Sequence, residues 1–264
     1  MASEVHPFLS RTKVAEFVRH LPEAMQERGL EIRILVPRFG LINERKNRLY
    51  EVVRLSGTNI SIGDKEQPLA IKVASIPKAS RMQVYFVDNP DYFKRKSTFF
   101  DERKNFYPDN GERTIFFCRG VLETIRKLGW APDIIHCNDW MTSLVPVYVK
   151  TIYKKDPIFE HTKCVFSLHE ELDNFRFQDL LIQEIFAKRI QKSTPEQKNN
   201  IAYDSRSLIQ LGMEYADAIM GIKGEEFALH QLTDKLSCEE KKIDCVTQDD
   251  CTEEYYNLYH ELVS

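Results

Sequence analysis

Apolar residues near the start of the chain recur with the spacing of a helix. Five of them lie three or four residues apart and would share one helix face: Val14, Phe17, Val18, Leu21 and Met25. Gly29 predicts the end of this helix, because glycine adopts the left-handed conformation of a C-cap without strain. A short strand is expected over 31–36, where Pro37 ends it.

The hydrophobic pattern changes after residue 50. Four apolar or β-branched runs follow one another, with turn residues but no helical pattern between them: 52–55, 59–62, 70–76 and 82–87. Such a succession of strands predicts a β-hairpin excursion on the sheet. The polar and aromatic stretch over 88–111 is expected to be a long loop.

The second half of the chain alternates between helical and strand patterns. Helices are predicted over 115–128, 144–153, 175–192, 204–216, 225–236 and 253–263. Strands are predicted over 134–135, 164–168 and 217–222. The last helix is expected to carry Tyr256, Tyr259 and Leu262 on one face.

This alternation favours a largely parallel sheet with right-handed crossovers. The predicted class is therefore α/β, with a doubly wound, mostly parallel, Rossmann-like sheet that carries the β-hairpin excursion. One such domain is expected over residues 1–240. Residues 241–264 are expected to form an acidic C-terminal tail with a terminal helix.

Composition narrows the classes of function. With 29% charged residues, 42% hydrophobic residues and a net charge of −3, the chain offers no support for binding nucleic acid or an anionic membrane. Its longest apolar runs fall well short of the roughly 20 residues that a membrane span needs, and its start lacks the pattern of a signal peptide.

The cysteines indicate a reduced, cytoplasmic protein. Cys118, Cys137 and Cys164 lie in apolar stretches and are expected in the core. Cys238 and the two later cysteines lie in the acidic tail without a C-x-x-C pair, so no metal site is predicted there. No cofactor is predicted.

Polar residues follow the predicted strands at the sheet edge where α/β proteins bind ligands. His136, Asn138 and Asp139 follow the strand at 134–135, and His169 follows a second strand. Two of them have an alternative structural role. His136 would also fit a core histidine bonded to the backbone, and Asp139 would also cap the helix that follows Trp140.

Two further stretches have the same ambiguity. Asp88 follows an apolar strand and precedes Asn-Pro, so it suits either a ligand contact or a turn. The aromatic residues of the 88–111 stretch, which include Tyr92 and Phe93, could stack on sugar rings or pack in the core.

Several segments in chain order resemble bacterial starch and glycogen synthases. They are Ala2–Phe8, Val36–Gly40, Asp88–Phe93, Tyr107–Arg113, Pro132–Pro146, Lys163–His169 and Met213–Asp217. That family consists of retaining glycosyltransferases that transfer glucose from ADP-glucose to an α-1,4-glucan. They have the GT-B architecture, in which two Rossmann-like domains face each other across a cleft. The resemblance spans about residues 2–222 and implies the N-terminal catalytic domain.

The chain departs from the family pattern in the phosphate-binding loop. The family's K-x-G-G-L loop aligns with Ser10, Arg11, Thr12, Lys13 and Val14. In the family, two glycines let backbone N–H groups approach the sugar-nucleotide phosphates at a helix N-terminus. Thr12 and Lys13 occupy those places here, so the loop is a remnant.

Two further departures concern the strand ends and the first strand. Asn138 and Met141 occupy places where the family usually has histidines. The family's first strand lies in the middle of the sheet and precedes the Ala2-Ser3-Glu4 segment, where this sequence has only Met1. Either the sequence begins late, or another element fills this position.

The resemblance implies a glycogen or starch synthase-like glycosyltransferase domain with α-glucan, and also ADP-glucose, as its ligands. The residues implied in substrate binding are Asp88, His136, Asn138, Asp139 and His169, and Tyr92 and Phe93 are the glucan-contact candidates. The chain ends where the family's second domain would begin, so little or no transferase activity is expected from it alone. The alternative is a non-catalytic glucan-binding or regulatory relative that acts with a full-length synthase.

Overall fold

The computed structural model describes residues 1–77, 82–169, 175–178, 182, 185, 204–222, 242–246 and 251–264. The helix predicted over 225–236, and most of that predicted over 175–192, lie outside the described residues. Cys238 also lies outside them.

Most of the predicted helices and strands are present within the described residues. The helices are α1 (Lys13–Glu27), α2 (Pro90–Phe93), α3 (Asn110–Leu128), α4 (Leu144–Lys150), α5 (Ser205–Tyr215) and α6 (Thr252–Val263), with a 3-10 turn at Trp140–Thr142. The strands are β1 (Ile34–Pro37), β2 (Tyr50–Glu51), β3 (Thr58–Ile62), β4 (Lys65–Ser75), β5 (Gln83–Asp88), β6 (Ile134–Cys137), β7 (Lys163–Leu168), β8 (Ala218–Ile222) and β9 (Lys242–Val246).

The strands form two sheets. In the first, β1 pairs parallel with β5, and the antiparallel strands β4, β2 and β3 extend it in the order β1-β5-β4-β2, with β3 on β4. In the second, β6, β7, β8 and β9 are all parallel. The α/β class and the β-hairpin excursion are confirmed.

Two details of the excursion differ from the prediction. Residues 52–55 form a turn, in which Leu55 N–H donates to Val52 O at 2.9 Å, and the strand pairing lies just before it at Tyr50–Glu51. Leu55 is buried, so its apolar character reflects packing under the turn. The 88–111 stretch contains the short helix α2, whose start is capped by Asn89.

Successive side chains along the strands point to opposite faces of the sheets, and helices pack on both faces. Leu35 and Phe166 point into a core that they share with α3, α4 and α5. Their neighbours Val36 and Val165 point to the opposite face, where α1 packs over both sheets and α6 over the second. Because helices cover both faces, the fold is doubly wound, as predicted.

The end of the chain packs against α1 and the second sheet. Strand β9 pairs with β8 from Ala218↔Lys242 onward. In α6, the fully buried positions are Tyr255, Leu258 and Tyr259. Tyr256 and Leu262 are partly buried and pack against the same cluster as Tyr259, so the three predicted residues share one face of α6. Among the described residues, none of the helices is long and apolar enough to cross a bilayer.

The first three residues of the chain connect the two sheets at one edge. Ala2 N–H donates to Leu35 O of β1 at 3.4 Å, and the Met1 nitrogen donates to His136 O of β6 at 2.7 Å. Both contacts lie near the carboxyl ends of these strands. Strands β1 and β6 therefore run in the same direction, and residues 1–3 bridge their ends.

Candidate functional site

The carboxyl ends of β6 and β7 bring two of the predicted site residues together. Asn138 Oδ1 lies 3.3 Å from His169 Nε2, and Asn138 Nδ2 donates to Met1 O at 3.1 Å. Both side chains are buried. The Asn138 amide therefore already has protein partners on both of its polar atoms.

Asp139 serves as a cap in this structure. Its Oδ1 accepts from Met141 N–H at 3.0 Å, and Thr142 completes a capping box with the Asp139 backbone. Its second carboxylate oxygen accepts from Ser3 N–H at 2.5 Å. Burial raises the pKa of Asp139, and these hydrogen bonds partly oppose that rise. The carboxylate thus ties the start of the chain to the end of β6.

His136 points away from the carboxyl edge, towards α6. Its Nδ1 lies 2.6 Å from Tyr259 Oη, and its Nε2 lies 2.6 Å from Ser167 Oγ, which in turn lies 2.5 Å from Tyr255 Oη. Burial lowers the pKa of His136 well below its ordinary value. The ring is a neutral member of an internal network, so its geometry matches the core alternative, with hydroxyl groups as partners.

We expect His136 and His169, whose pKa values are lowered, to make the protein less stable in mild acid. Burial lowers the pKa of His169 to about 4, whereas an unfolded histidine has a pKa of about 6.5. Between these values the unfolded chain binds the extra proton and the native chain does not. The free energy of unfolding should therefore fall as pH falls from about 6.5 to 4, by up to roughly 1.4 kcal/mol per pH unit for each such histidine.

Urea unfolding of the parent chain and of His169→Gln between pH 7 and 4 measures how much His169 contributes to this loss of stability. The variant should show a shallower loss of stability on acidification. His20→Gln is the matched control, because the His20 side chain is 73% exposed. The raised pKa values of Glu4 and Asp139 act in the opposite direction, since they increase the free energy of unfolding as pH falls. They are the same in all three proteins, so they do not affect the comparison. Equal slopes for His169→Gln and the parent would contradict the prediction.

The loop remnant at 10–13 is bonded to a buried carboxylate. Glu4 accepts a hydrogen bond from Arg11 N–H at 2.8 Å, and the Thr12 hydroxyl donates to its other oxygen. Burial raises the pKa of Glu4 despite these donors. Ser10, Arg11 and Lys13 are exposed. As a result, the Arg11 N–H and the Thr12 hydroxyl at the start of α1 are already engaged within the protein.

Asp88 belongs to a separate, buried ion-pair cluster. Its two oxygens lie 3.1 Å from Arg38 Nε and 2.9 Å from Lys72 Nζ, and Lys72 also contacts Glu44 at 2.8 Å. Burial acts to lower the pKa of Lys72, but the hydrogen bonds to Glu44 and Asp88 outweigh it and raise the pKa. Asp88 thus forms ion pairs with two cations at the ends of β1 and β5, although its contact with Arg38 Nε lacks hydrogen-bond geometry.

Tyr92 and Phe93 lie in the core. Their exposed fractions are 4% and 0%, and Tyr92 Oη donates to Glu112 at 3.0 Å. The Phe93 ring also lies beside the buried guanidinium of Arg113, 5.5 Å from the ring centroid. Neither ring offers a face on which a sugar could stack. The structure therefore favours the packing alternative for these two residues.

Three other aromatic residues are only half-buried and lie together at the surface. Phe100 and Phe106 face each other across a tight turn, with ring centroids 5.6 Å apart, and Phe175 stacks on Phe106 at 5.1 Å. We call these three residues the aromatic surface cluster. Asp101 Oδ1 fixes the turn by accepting two backbone N–H groups at 2.8 Å. Trp140, which directly follows Asp139, packs against Phe106 and places the cluster beside the carboxyl end of β6.

Sequence reasoning missed the partners that occupy the site. Glu4 and Ser167 were noticed only as parts of matching segments, and Tyr255 was not noticed at all. The Glu4 carboxylate, seven residues before Arg11, gave no local signal of its contact. Within the described residues, no group of three His, Cys, Asp or Glu side chains is placed to hold a metal ion.

Comparison with known proteins agrees with this fold. The starch synthase catalytic domain family matches residues 1–222. Among solved structures, the catalytic domain of starch synthase IV from Arabidopsis thaliana, bound to ADP and acarbose, superposes with a TM-score of 0.71 and 17% identity. The match covers 96% of this chain and 52% of that one. The architecture is therefore that of one half of a GT-B glycosyltransferase.

Curated relatives define the family more closely. The glycogen synthase of Chlorobium limicola is 39% identical over 223 residues, which is 83% of this chain and 44% of that protein. The glycogen synthase of Chlorobium chlorochromatii is 42% identical over 193 residues, or 71% and 39% of the two chains. This chain belongs to the glycogen and starch synthase family, as the sequence motifs indicated. It spans less than half the length of the relatives it matches.

Proposed function

We propose that this chain is an α-glucan-binding member of the glycogen and starch synthase family that does not by itself transfer glucose from ADP-glucose. The observation that carries the proposal is the contact between Thr12 and Glu4. Glu4 lies in the A-S-E-V segment that resembles the family, so the difference lies in Thr12. A side chain there closes the loop onto Glu4, where a glycine would leave the backbone open to a phosphate.

The strand ends support the same conclusion. Asn138 stands where the family usually has a histidine, and its amide is engaged by Met1 O and His169. Transfer of glucose from a sugar nucleotide needs donors aimed at the diphosphate as it leaves. At the start of α1, the Arg11 N–H and the Thr12 hydroxyl are directed at Glu4 instead.

Glucan binding rests on the aromatic surface cluster. Sugar rings stack on aromatic faces, and Phe100, Phe106 and Phe175 keep part of their surface exposed beside the carboxyl end of β6. This replaces the expectation that Tyr92 and Phe93 make the contact. The starch synthase IV structure was solved with acarbose bound, which is consistent with a glucan ligand in this fold.

We expect Phe100→Ala to weaken the retardation of the protein in a native gel that contains glycogen. By analogy with aromatic pairs, loss of one stacking face costs about 0.5–1.5 kcal/mol, or roughly a 2- to 12-fold rise in the dissociation constant. Tyr50→Ala is the matched control, because Tyr50 is an exposed aromatic residue on β2, outside the cluster. Retardation unchanged by Phe100→Ala, or reduced equally by Tyr50→Ala, would contradict the assignment of the cluster.

Two further features belong to this proposal. A complete synthase would supply the ADP-glucose side of the reaction, so we propose such an enzyme as the partner of this chain. A cytoplasmic location fits the free thiols of Cys118, Cys137, Cys164 and Cys251. Burial raises the pKa of the Cys118 and Cys164 thiols, which keeps them protonated and unreactive.

A further inference from the structure

Two neighbouring loops at the carboxyl edge of the first sheet carry an excess of positive charge. Residues 43–48 follow β1 and residues 94–104 follow β5, which is parallel to β1. Together they contain eight cationic side chains and three carboxylates, although the whole chain has a net charge of −3. Six of the cations are exposed, and we call them the basic surface: Arg45, Lys46, Arg48, Lys94, Arg103 and Lys104.

The carboxylate of the first loop is already paired beneath this surface. Glu44 lies 2.8 Å from Lys72 Nζ and 3.3 Å from Arg38 Nε. Burial acts to raise the pKa of Glu44, but these two cations and Lys94 outweigh it and lower the pKa. Lys94 therefore lies within electrostatic range of a carboxylate that already has two partners.

The carboxylates of the second loop are engaged in the same way. Asp101 accepts the backbone N–H groups of Arg103 and Asn105, and Glu102 pairs with Lys96 at 3.5 Å. Within the described part of the chain, no carboxylate forms an ion pair with a residue of the basic surface. Its charges are thus free to interact with an anion from solution.

Both loops are packed against each other and held in place. Gly40 N–H donates to Phe93 O at 2.7 Å, and a Cβ atom at Gly40 would collide with the Arg95 carbonyl. Arg95 donates to Asp109 at 2.8 Å, and its guanidinium lies 4.6 Å from the centre of the Tyr107 ring. An anion that bound here would meet cations on a fixed backbone, which lowers the entropic cost of binding.

The basic surface is continuous with the aromatic surface cluster. Arg103 and Lys104 belong to the turn that joins Phe100 to Phe106. The contact between Lys96 and Glu102 places the 94–96 run beside the same turn. Aromatic faces suit sugar rings, and lysine and arginine suit phosphate oxygens. A sugar polymer that carries phosphate would use both surfaces at once.

We propose that the basic surface binds phosphate monoesters carried by the α-glucan that occupies the aromatic surface cluster. This inference rests on the proposed glucan binding and adds the chemical class of the glucan. A phosphate monoester offers a charge of about −1.5 to −2 at pH 7 and three acceptor oxygens, which a neutral glucan lacks. An acidic protein surface would match the cations but would leave the aromatic rings unused.

The test compares phosphorylated amylopectin with the same preparation after treatment with alkaline phosphatase. We expect the parent chain to bind both polymers in a native gel, and the phosphorylated one up to about fivefold more tightly per phosphate contact at low ionic strength. The difference should disappear in about 1 M salt, where the screening length is about 3 Å. A poly-glutamate peptide that displaces the phosphorylated polymer equally well at equal charge would overturn the assignment to phosphate esters.

A pair of double variants locates the phosphate contacts. Lys94→Ser combined with Arg103→Ser should abolish the difference between the two polymers while the dephosphorylated one still binds. Lys154→Ser combined with Lys155→Ser is the matched control, because these exposed lysines precede β7 at the opposite end of the sheet. An equal loss in the control pair would overturn the location.

The parent chain separates failure of this inference from failure of the proposed function. Equal binding of the two polymers at low ionic strength would overturn the phosphate contacts and leave glucan binding intact. Binding of neither polymer would overturn both.

Discussion

The purified 264-residue chain is expected to incorporate glucose from ADP-glucose into glycogen at less than about 0.01 per second, roughly a thousandfold below a median enzyme. The physical reason lies in the loop before α1. Thr12 is bonded to Glu4 there, and the Arg11 N–H is directed at the same carboxylate. A leaving diphosphate would meet a buried acid in place of free donors, and like charges repel.

The measurement is incorporation of labelled glucose into glycogen, with a complete glycogen synthase as the positive control. Replacement of Thr12 and Lys13 by glycine should not restore the rate, since Asn138 remains bonded to Met1 O and His169. The same assay should be run with the chain added to the complete enzyme, to reveal any effect on the partner. Turnover of about 1 per second or more by the chain alone would show that the donor site is intact.

Tyr255→Ala is expected to lower the free energy of unfolding by about 3–5 kcal/mol, the range for removal of a large buried aromatic side chain. Tyr255 is 1% exposed and stacks on the His136 ring at 5.3 Å. Its hydroxyl lies 2.5 Å from Ser167 Oγ. The residue therefore joins α6 to the ends of β6 and β7, and its loss would leave a cavity and break a buried network.

Chemical denaturation followed by circular dichroism measures this effect. Tyr256→Ala, on the same helix but partly exposed, should cost much less than Tyr255→Ala. Tyr255→Phe separates the hydrogen bond from the packing and should cost about 1 kcal/mol. Equal losses for Tyr255→Ala and Tyr256→Ala would show that α6 does not pack on the sheet as described.

Many of the helices and strands could be predicted from the spacing of hydrophobic residues alone. The helical spacing of Val14 and Val18 and the apolar run at 34–36 each reflect a local requirement for burial, which a sequence pattern records directly. Residues 52–55 show where this fails, because an apolar run can be buried in a turn as well as in a strand. In α6 the pattern identified Tyr256, Tyr259 and Leu262 but missed the buried Tyr255 and Leu258, because a short helix with many aromatic residues offers two overlapping apolar stripes.

The site was harder to predict, because its contacts join distant segments. Asn138 and His169 were expected at one sheet edge because each follows a predicted strand, and the structure brings them together. The ion pairs of Asp88 with Arg38 and Lys72 depend on how separate strands are paired. Likewise, the burial of Tyr92 depends on the position of α3. Residue type and spacing do not encode such partners.

Calorimetric titration of one preparation with a maltooligosaccharide of seven glucose units and with ADP-glucose tests the central claim most directly. We expect measurable binding of the oligosaccharide, weakened by Phe100→Ala and unchanged by Tyr50→Ala. No saturable heat is expected with ADP-glucose at the same concentrations. Binding of ADP-glucose tighter than that of the oligosaccharide would contradict the proposed function, because it would require a phosphate site that the Thr12–Glu4 contact closes.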